Sequence, residues 1–303
     1  MLKLNEIQKF EIELTNYCNA KCPGCMRTTN PSIPLNTNHL PFEKIKKLTE
    51  QLPHSKSIVV YFGGSISEPL MNPEIYEIVE YCASRYHRIV IDTNASLGTK
   101  EFWTKLGKLS SESNRIVINF SIDGLEDTNH IYRVNTDFKK IISNLNTYIQ
   151  NGGYAIWKFL IFEHNKHQVE EAQSFAKEIG CKNFIHMETG RGPKNMIAQT
   201  QMKDRFNEVG KILAETEINC KTKEKNFLYI TNDFKLIPCC HLRGFPDVDS
   251  AVDLDVVSLE DALQDKKYAE LEKTWNTPEC NFACKRACGT KRQWSRKEYT
   301  YEW

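Results

Sequence analysis

Phe10-Glu-Ile-Glu-Leu-Thr15 leads through Asn16-Tyr17 into Cys18-Asn-Ala-Lys-Cys22-Pro-Gly-Cys25, and this stretch decides the fold. The first part is a short extended apolar run. The second places three thiols in one loop, spaced CxxxCxxC. Three thiols this close cannot all pair as disulfides, because the number is odd and the spacing tight. They can converge on one soft metal centre. A complete four-iron cluster takes four cysteines, so three leave one iron without a protein ligand. At zinc, an open position marks catalysis. A structural zinc knuckle would want a fourth ligand nearby, and no Cys or His lies between Cys25 and His39.

The 303 residues suit one large domain and a smaller one. The formal net charge is +1, with acids and bases intermixed, so no field argues for nucleic acid or an anionic membrane as partner. The start, Met-Leu-Lys-Leu-Asn-Glu, has no long apolar h-region and no cleavage site, and no run approaches a membrane span. The expectation is a soluble, cytoplasmic protein. Eleven cysteines in a reducing compartment point to metal or catalysis rather than disulfides. Three lie at 18–25 and six after 219. Cys82 shares an apolar stripe with Ile75, Ile78 and Val79, and Cys181 follows the helix-ending Gly180. Both read as core.

Strand and helix alternate from Phe10 to Glu188. The candidate strands are Phe10–Thr15, Ser57–Tyr61, Arg88–Asp92, Arg115–Ile122, Ala155–Phe162 and Asn183–Glu188. Helical stripes include Ile45, Leu48 and Leu52; Phe138, Ile141, Ile142, Leu145 and Ile149; and Val169, Ala172, Phe175, Ala176 and Ile179. Asn72-Pro73 reads as a helix start. Six βα repeats argue for a parallel sheet with helices outside, and chemistry then sits at the carboxyl ends of strands. Periodicity alone does not separate a partial barrel from a doubly wound sheet. Thr189-Gly-Arg-Gly-Pro-Lys-Asn195 breaks the alternation. A helix over Gln201–Thr216 and a hairpin of Phe227–Thr231 and Lys235–Pro238 follow, so domains are expected at 1–195 and 196–303.

CxxxCxxC after a first strand resembles the radical S-adenosylmethionine (radical SAM) superfamily. Four further strand ends carry the resemblance: Phe62-Gly63-Gly64-Ser-Ile-Ser-Glu68-Pro-Leu, Asp92-Thr93-Asn94-Ala, Ser121-Ile-Asp123-Gly with the later Arg133, and His186-Met187-Glu188. It implies an α/β fold, a partial (β/α)6 TIM-like barrel. It implies a [4Fe-4S] cluster on Cys18, Cys22 and Cys25, with S-adenosylmethionine (SAM) on the open iron. Reductive cleavage of SAM then yields a 5'-deoxyadenosyl radical that abstracts hydrogen. The resemblance also assigns contacts to SAM. Gly63, Gly64 and Glu68 match the element that holds its amino group, and Thr93 and Asn94 match the family's Thr-Asn-Gly. Ser121 and Asp123 would lie near ribose or carboxylate. The fork of Arg133 suits a carboxylate; the bland reading is a surface charge. The end of the sixth strand would offer backbone groups to the adenine. Gly24 stands where the family often has an aromatic residue.

The tail carries Cys220, Cys239-Cys240 and Cys280-Asn-Phe-Ala-Cys284-Lys-Arg-Ala-Cys288. This resembles the twitch subgroup, a shortened SPASM extension, which makes the second domain a small cysteine-rich hairpin-plus-helix unit. One auxiliary [4Fe-4S] cluster on Cys220, Cys239, Cys280 and Cys284 is expected, with Cys288 able to replace either of the last two. A structural zinc site fits the same spacing. Cys240 is surplus; it is either a hydrogen donor to a substrate radical or hairpin packing.

The expected function is radical modification of a peptide or protein, by epimerisation or crosslinking, with electrons from a flavodoxin- or ferredoxin-like reductant. Fewer than twenty residues precede Cys18, with no fused leader-recognition domain, which weakens the peptide case. The rivals are a dehydrogenase or epimerase of a sugar or aminocyclitol, and a non-catalytic zinc-binding module.

Overall fold

Lys9–Ile12 forms the first strand, β1, and its partners decide the architecture. β2 is Val59–Phe62, β3 Arg88–Thr93, β4 Ile116–Ser121, β5 Tyr154–Ile161 and β6 Asn183–Glu188. These six pair in sequence order, all parallel. The computed structural model describes residues 2–31, 33–52, 57–63, 65–198, 216–243, 251–290 and 298–302. The expected helix over Gln201–Thr216 falls almost wholly outside them.

The tail continues the same sheet. β7 (Phe227–Ile230) lies parallel to β1, with Glu11 opposite Tyr229. β8 (Lys235–Ile237) and β9 (Val252–Asp253) follow antiparallel, and β10 (Glu298–Glu302) pairs antiparallel with β6. The order is β10-β6-β5-β4-β3-β2-β1-β7-β8-β9, so the sheet is open and the fold is an α/β partial barrel. The hairpin forms as the sequence predicts.

The helices cover one face. Phe10, Ile12, Val60, Phe62, Ile89, Ile91, Ile118, Phe120, Trp157 and Phe184 point into that layer with Ile45, Leu48, Ile78, Leu106, Ile141 and Leu145. Burying each large apolar side chain contributes about 1.5–3 kcal/mol. Asp137 caps the helix Phe138–Gln150 by accepting from Lys140 N, and Gly180 ends Val169–Ile179 at φ +96°. Cys82 and Cys181 are buried in the core, as expected.

Helix Lys100–Ser113 fills the expected alternation between β3 and β4, although no stripe marked it in the sequence. Its buried face is Trp103, Leu106, Gly107 and Ser110, in which only two residues are large and apolar. Gly107 lets it approach the next helix, since a Cβ there would lie 2.6 Å from Tyr148 O. The regular helix starts at Ile75, and Asn72 caps the turn that leads into it, its Oδ1 accepting from Glu74 N (2.9 Å). Asn72 is buried and donates to Leu14 O (2.7 Å) and Leu40 O (2.9 Å), pinning the segment after β1. Among the described residues, no helix is long and apolar enough to cross a membrane.

Candidate functional site

The Cys18–Cys25 loop leaves the carboxyl end of β1 and is tied down from both sides. Glu68 N donates to Tyr17 O (2.9 Å), and Lys21 N donates to Val134 O (3.0 Å). Arg27 Nη1 donates to Asn16 O (2.5 Å) and Ile66 O (3.2 Å). Cys25 N closes a turn onto Cys22 O (3.1 Å). Cys18, Cys22 and Cys25 pack in one cluster with Ala20, Tyr132, Phe162, Leu160 and Met196. Burial pushes the Cys18 thiol up to about 12, and the Glu68 carboxylate adds to it. Burial also raises Cys22, opposed first by the Arg133 guanidinium. Such thiols stay neutral near pH 7 unless a metal replaces the proton.

No disulfide links any of the eleven cysteines. Among the described residues, no three Cys, His, Asp or Glu side chains already stand gathered as a metal cage. Thiols turn between staggered rotamers at little cost, so closing the set on a metal requires side-chain rotation. Three sulfurs on one short loop make a soft donor set that fits an iron–sulfur cluster.

The other strand ends converge on this loop. Glu68 is fully buried and accepts from Thr93 Oγ1 (2.6 Å), Asn94 N (2.7 Å) and Leu70 N (3.3 Å). Burial raises it to about 7. Asn94 Nδ2 donates to Asn19 Oδ1 (2.9 Å), so the loop after β3 grips the cysteine loop directly. Asp123 is also fully buried; it accepts from Leu160 N (2.6 Å) and from Arg133 Nε (2.7 Å). Arg133 is thus no surface charge, and its other neighbour is Cys22. Ser121 ends β4, half-buried. Gly63 lies under the Tyr61 ring, which a Cβ would meet at 2.1 Å; Gly64 lies outside the described residues. The structure therefore brings Glu68, Thr93 and Asn94 together as one unit, and Asp123 and Arg133 as another. Gly24 has its own cause. A Cβ there would come 2.3 Å from Gly192 N, because the loop after β6 presses on it.

A polar network on the face of the sheet opposite the helices escaped the sequence reading. Asp92 accepts from Tyr61 Oη, from Asn119 Nδ2 (2.5 Å) and from Lys158 Nζ (3.1 Å). Glu13, fully buried, accepts from Tyr229 Oη (2.5 Å) and Arg243 Nε (2.8 Å). Tyr229 Oη also reaches Ser65 Oγ (3.2 Å). The signal was present: polar residues at alternate positions, Glu11 and Glu13, then Tyr61, Asp92, Asn119 and Lys158, in strands otherwise built of apolar residues. Cys240 lies beside Glu11, Lys9 and Tyr61, and burial with the Glu11 charge pushes its thiol up.

In the tail, Cys220, Cys239, Cys284 and Cys288 line one largely apolar cavity of about 30 Å³. Asn219 N donates to Cys288 O (2.9 Å) and Thr290 N to Glu217 O (2.8 Å), which holds the two segments side by side. Helix Phe282–Cys288 places Cys284 and Cys288 one turn apart on the same face. The Cys288 thiol donates to Cys220 and pulls its pKa down, aided by backbone N–H groups of Lys223 and Thr222. Burial raises Cys239 to about 11 and Cys284 to about 12; the Trp275 indole opposes the latter. Cys280 does not line this cavity; its Sγ lies 3.7 Å from Asn281 O. Four sulfurs around an apolar hole fit a soft metal centre.

The family model described as "Radical SAM superfamily" matches residues 12–179. The chain is 27% identical over 218 residues to Fe-coproporphyrin III synthase of Methanosarcina barkeri, covering 71% of this chain and 52% of that protein. It is 24% identical over 176 residues to the antilisterial bacteriocin subtilosin biosynthesis protein AlbA of Bacillus subtilis, covering 57% and 38%. The chain thus spans about half or less of these relatives' lengths. Its fold is similar to crystal structures of Streptococcus suis SuiB, bound to S-adenosylmethionine or to the precursor peptide SuiA. Both have TM-score 0.62 and 16% identity; the first covers 86% of this chain and 66% of SuiB.

Proposed function

The chain belongs to the radical SAM superfamily, and on that premise we propose that it is an enzyme that cleaves SAM reductively to abstract hydrogen from a peptide. The observation that carries this reading is the cysteine loop at the carboxyl end of β1, gripped by the loops after β2 and β3 and by the segment after Arg133. In this reading Cys18, Cys22 and Cys25 hold the catalytic four-iron cluster. When bound, that cluster would supply the electron for reductive cleavage of SAM, the chemistry that would drive hydrogen abstraction from the substrate.

The chain's own residues do the rest. Glu68 fixes Thr93 and Asn94 through one hydrogen bond each, and Asn94 fixes Asn19 between the first two cysteines. Asp123 orients Arg133, whose charge beside Cys22 favours thiolate there and an incoming carboxylate. Gly63 and Ser121 let backbone and a small hydroxyl approach SAM. The network around Asp92 orients the substrate below. The tail cavity holds a second cluster through Cys220, Cys239, Cys284 and Cys288. Cys240, outside that set and beside the polar face, is the candidate hydrogen donor to a substrate radical.

Support for a peptide substrate comes from the likeness to AlbA and to SuiB with its precursor peptide. The polar face favours a second reading, oxidation or epimerisation of a polyhydroxylated small molecule. Turnover in D2O separates the outcomes. An epimerase using Cys240 places deuterium on the inverted carbon, a dehydrogenase yields a keto product without deuterium, and a crosslinking enzyme yields a peptide two hydrogens lighter. Metal analysis of anaerobically purified protein tests the premise: zinc without iron would end this reading.

A further inference from the structure

The Trp275 indole nitrogen is buried and acts on the Cys284 thiol, with no regular hydrogen bond to any protein group. An indole N–H can only donate, and lacking a full acceptor in an apolar setting costs stability. Its surroundings say what it lacks. Trp275 lines the same cavity as Cys220, Cys239, Cys284 and Cys288. It packs in one cluster with Leu242, Cys239, Cys280 and Cys284. A neutral thiol is a weak acceptor; a thiolate or a sulfide is a strong one. The ring is also held in place from outside. Lys223 Nζ lies 5.8 Å from its centroid and is paired with Glu272 at 2.8 Å. The indole is therefore a fixed donor at a cavity lined mainly by sulfur and hydrocarbon, with Thr222 and His241 as its other polar side chains.

We propose that Trp275 donates its N–H to a sulfur of the iron–sulfur centre held by the tail cavity and thereby raises that centre's reduction potential. The inference rests on the cluster reading of the cavity. Reduction adds negative charge to the sulfurs, so a donor aimed at them stabilises the reduced form more than the oxidised one. Trp275 acts through the centre and is a positioning residue for electrons, with no contact to substrate.

The test uses the full chain with Cys18, Cys22 and Cys25 replaced by Ala, so that only the tail centre remains. Iron is counted first. About four iron atoms per chain are expected for one four-iron cluster; none would overturn the cluster reading itself. With the centre present, an EPR-monitored redox titration compares this protein with its Trp275→Phe version, which keeps the aromatic packing. The expected result is a shift to more negative potential. Protein labelled with indole-15N tryptophan supplies a readout that needs no substitution at 275. One indole 15N should couple to the reduced centre. An unchanged potential in Trp275→Phe, or an absent 15N coupling in the labelled parent, would overturn this inference while the cluster reading stands.

Discussion

A Cβ on Gly24 would lie 2.3 Å from the amide nitrogen of Gly192, so the cysteine loop and the loop after β6 touch backbone to backbone. Gly192 itself sits at φ +100°, a conformation that side chains rarely adopt. The absent aromatic residue at position 24 is thus a packing consequence. Gly24→Ala should destabilise the protein by about 1–3 kcal/mol through overpacking. Gly24→Tyr should additionally weaken SAM binding. Thermal melts and equilibrium dialysis with SAM check both; a Gly24→Tyr protein of parental stability would contradict the contact.

Glu68 makes stability depend on pH in a defined direction. Its folded pKa is raised from 4.5 to about 7, mainly by burial. The native state therefore holds its proton longer than the unfolded chain. The Glu68 contribution is fully present below pH 4.5 and is lost as pH rises from there to about 7. The full swing is about 3 kcal/mol. Denaturant midpoints of metal-free protein should fall across that window relative to Glu68→Gln, which cannot titrate. Parallel pH profiles would contradict the assignment.

Asp123 and Arg133 form a buried pair at 2.7 Å. Removing Asp123 leaves a buried guanidinium unpaired, and Asp123→Ala should cost about 3–5 kcal/mol. Arg133→Met in that background should recover part of the loss. A double-mutant cycle measures the coupling; additive effects would contradict a functional pair.

The Asp92 network predicts a separation of two activities. Asp92 and Lys158 bond to each other and to Tyr61 and Asn119, not to the cysteine loop, so SAM cleavage to 5'-deoxyadenosine should persist in Asp92→Asn and Lys158→Met. Substrate-derived product should drop on the order of 10²-fold, the effect of misplacing a reacting group. Equal loss of both activities would remove these residues from substrate positioning.

The six parallel strands were legible because Val, Ile and Phe recur in short runs bounded by turn residues, as in Arg88–Asp92 and Asn183–Glu188. The hairpin was legible for the same reason. Its pairing with β1 was not, because contact between Glu11 and Tyr229 leaves no local trace. The polar face was overlooked because buried parallel strands usually read as unbroken apolar runs, and Glu11, Asp92 and Lys158 interrupt them singly. The tail cysteines were visible by type. That Cys288 rather than Cys280 shares a cavity with Cys284 depends on a helix over Phe282–Cys288, whose short run of Ala, Lys and Arg has no strong apolar stripe.

The central claim is that the Cys18–Cys25 loop builds a site for reductive cleavage of SAM. The direct measurement is anaerobic reconstitution with iron and sulfide, dithionite reduction, and quantification of 5'-deoxyadenosine beside the protein with Cys18, Cys22 and Cys25 replaced by Ala. The parent should bind about eight iron atoms per chain, for two four-iron clusters, and release 5'-deoxyadenosine, whereas the substituted protein should release none. A colourless zinc-bound parent, or equal release from both proteins, would contradict it.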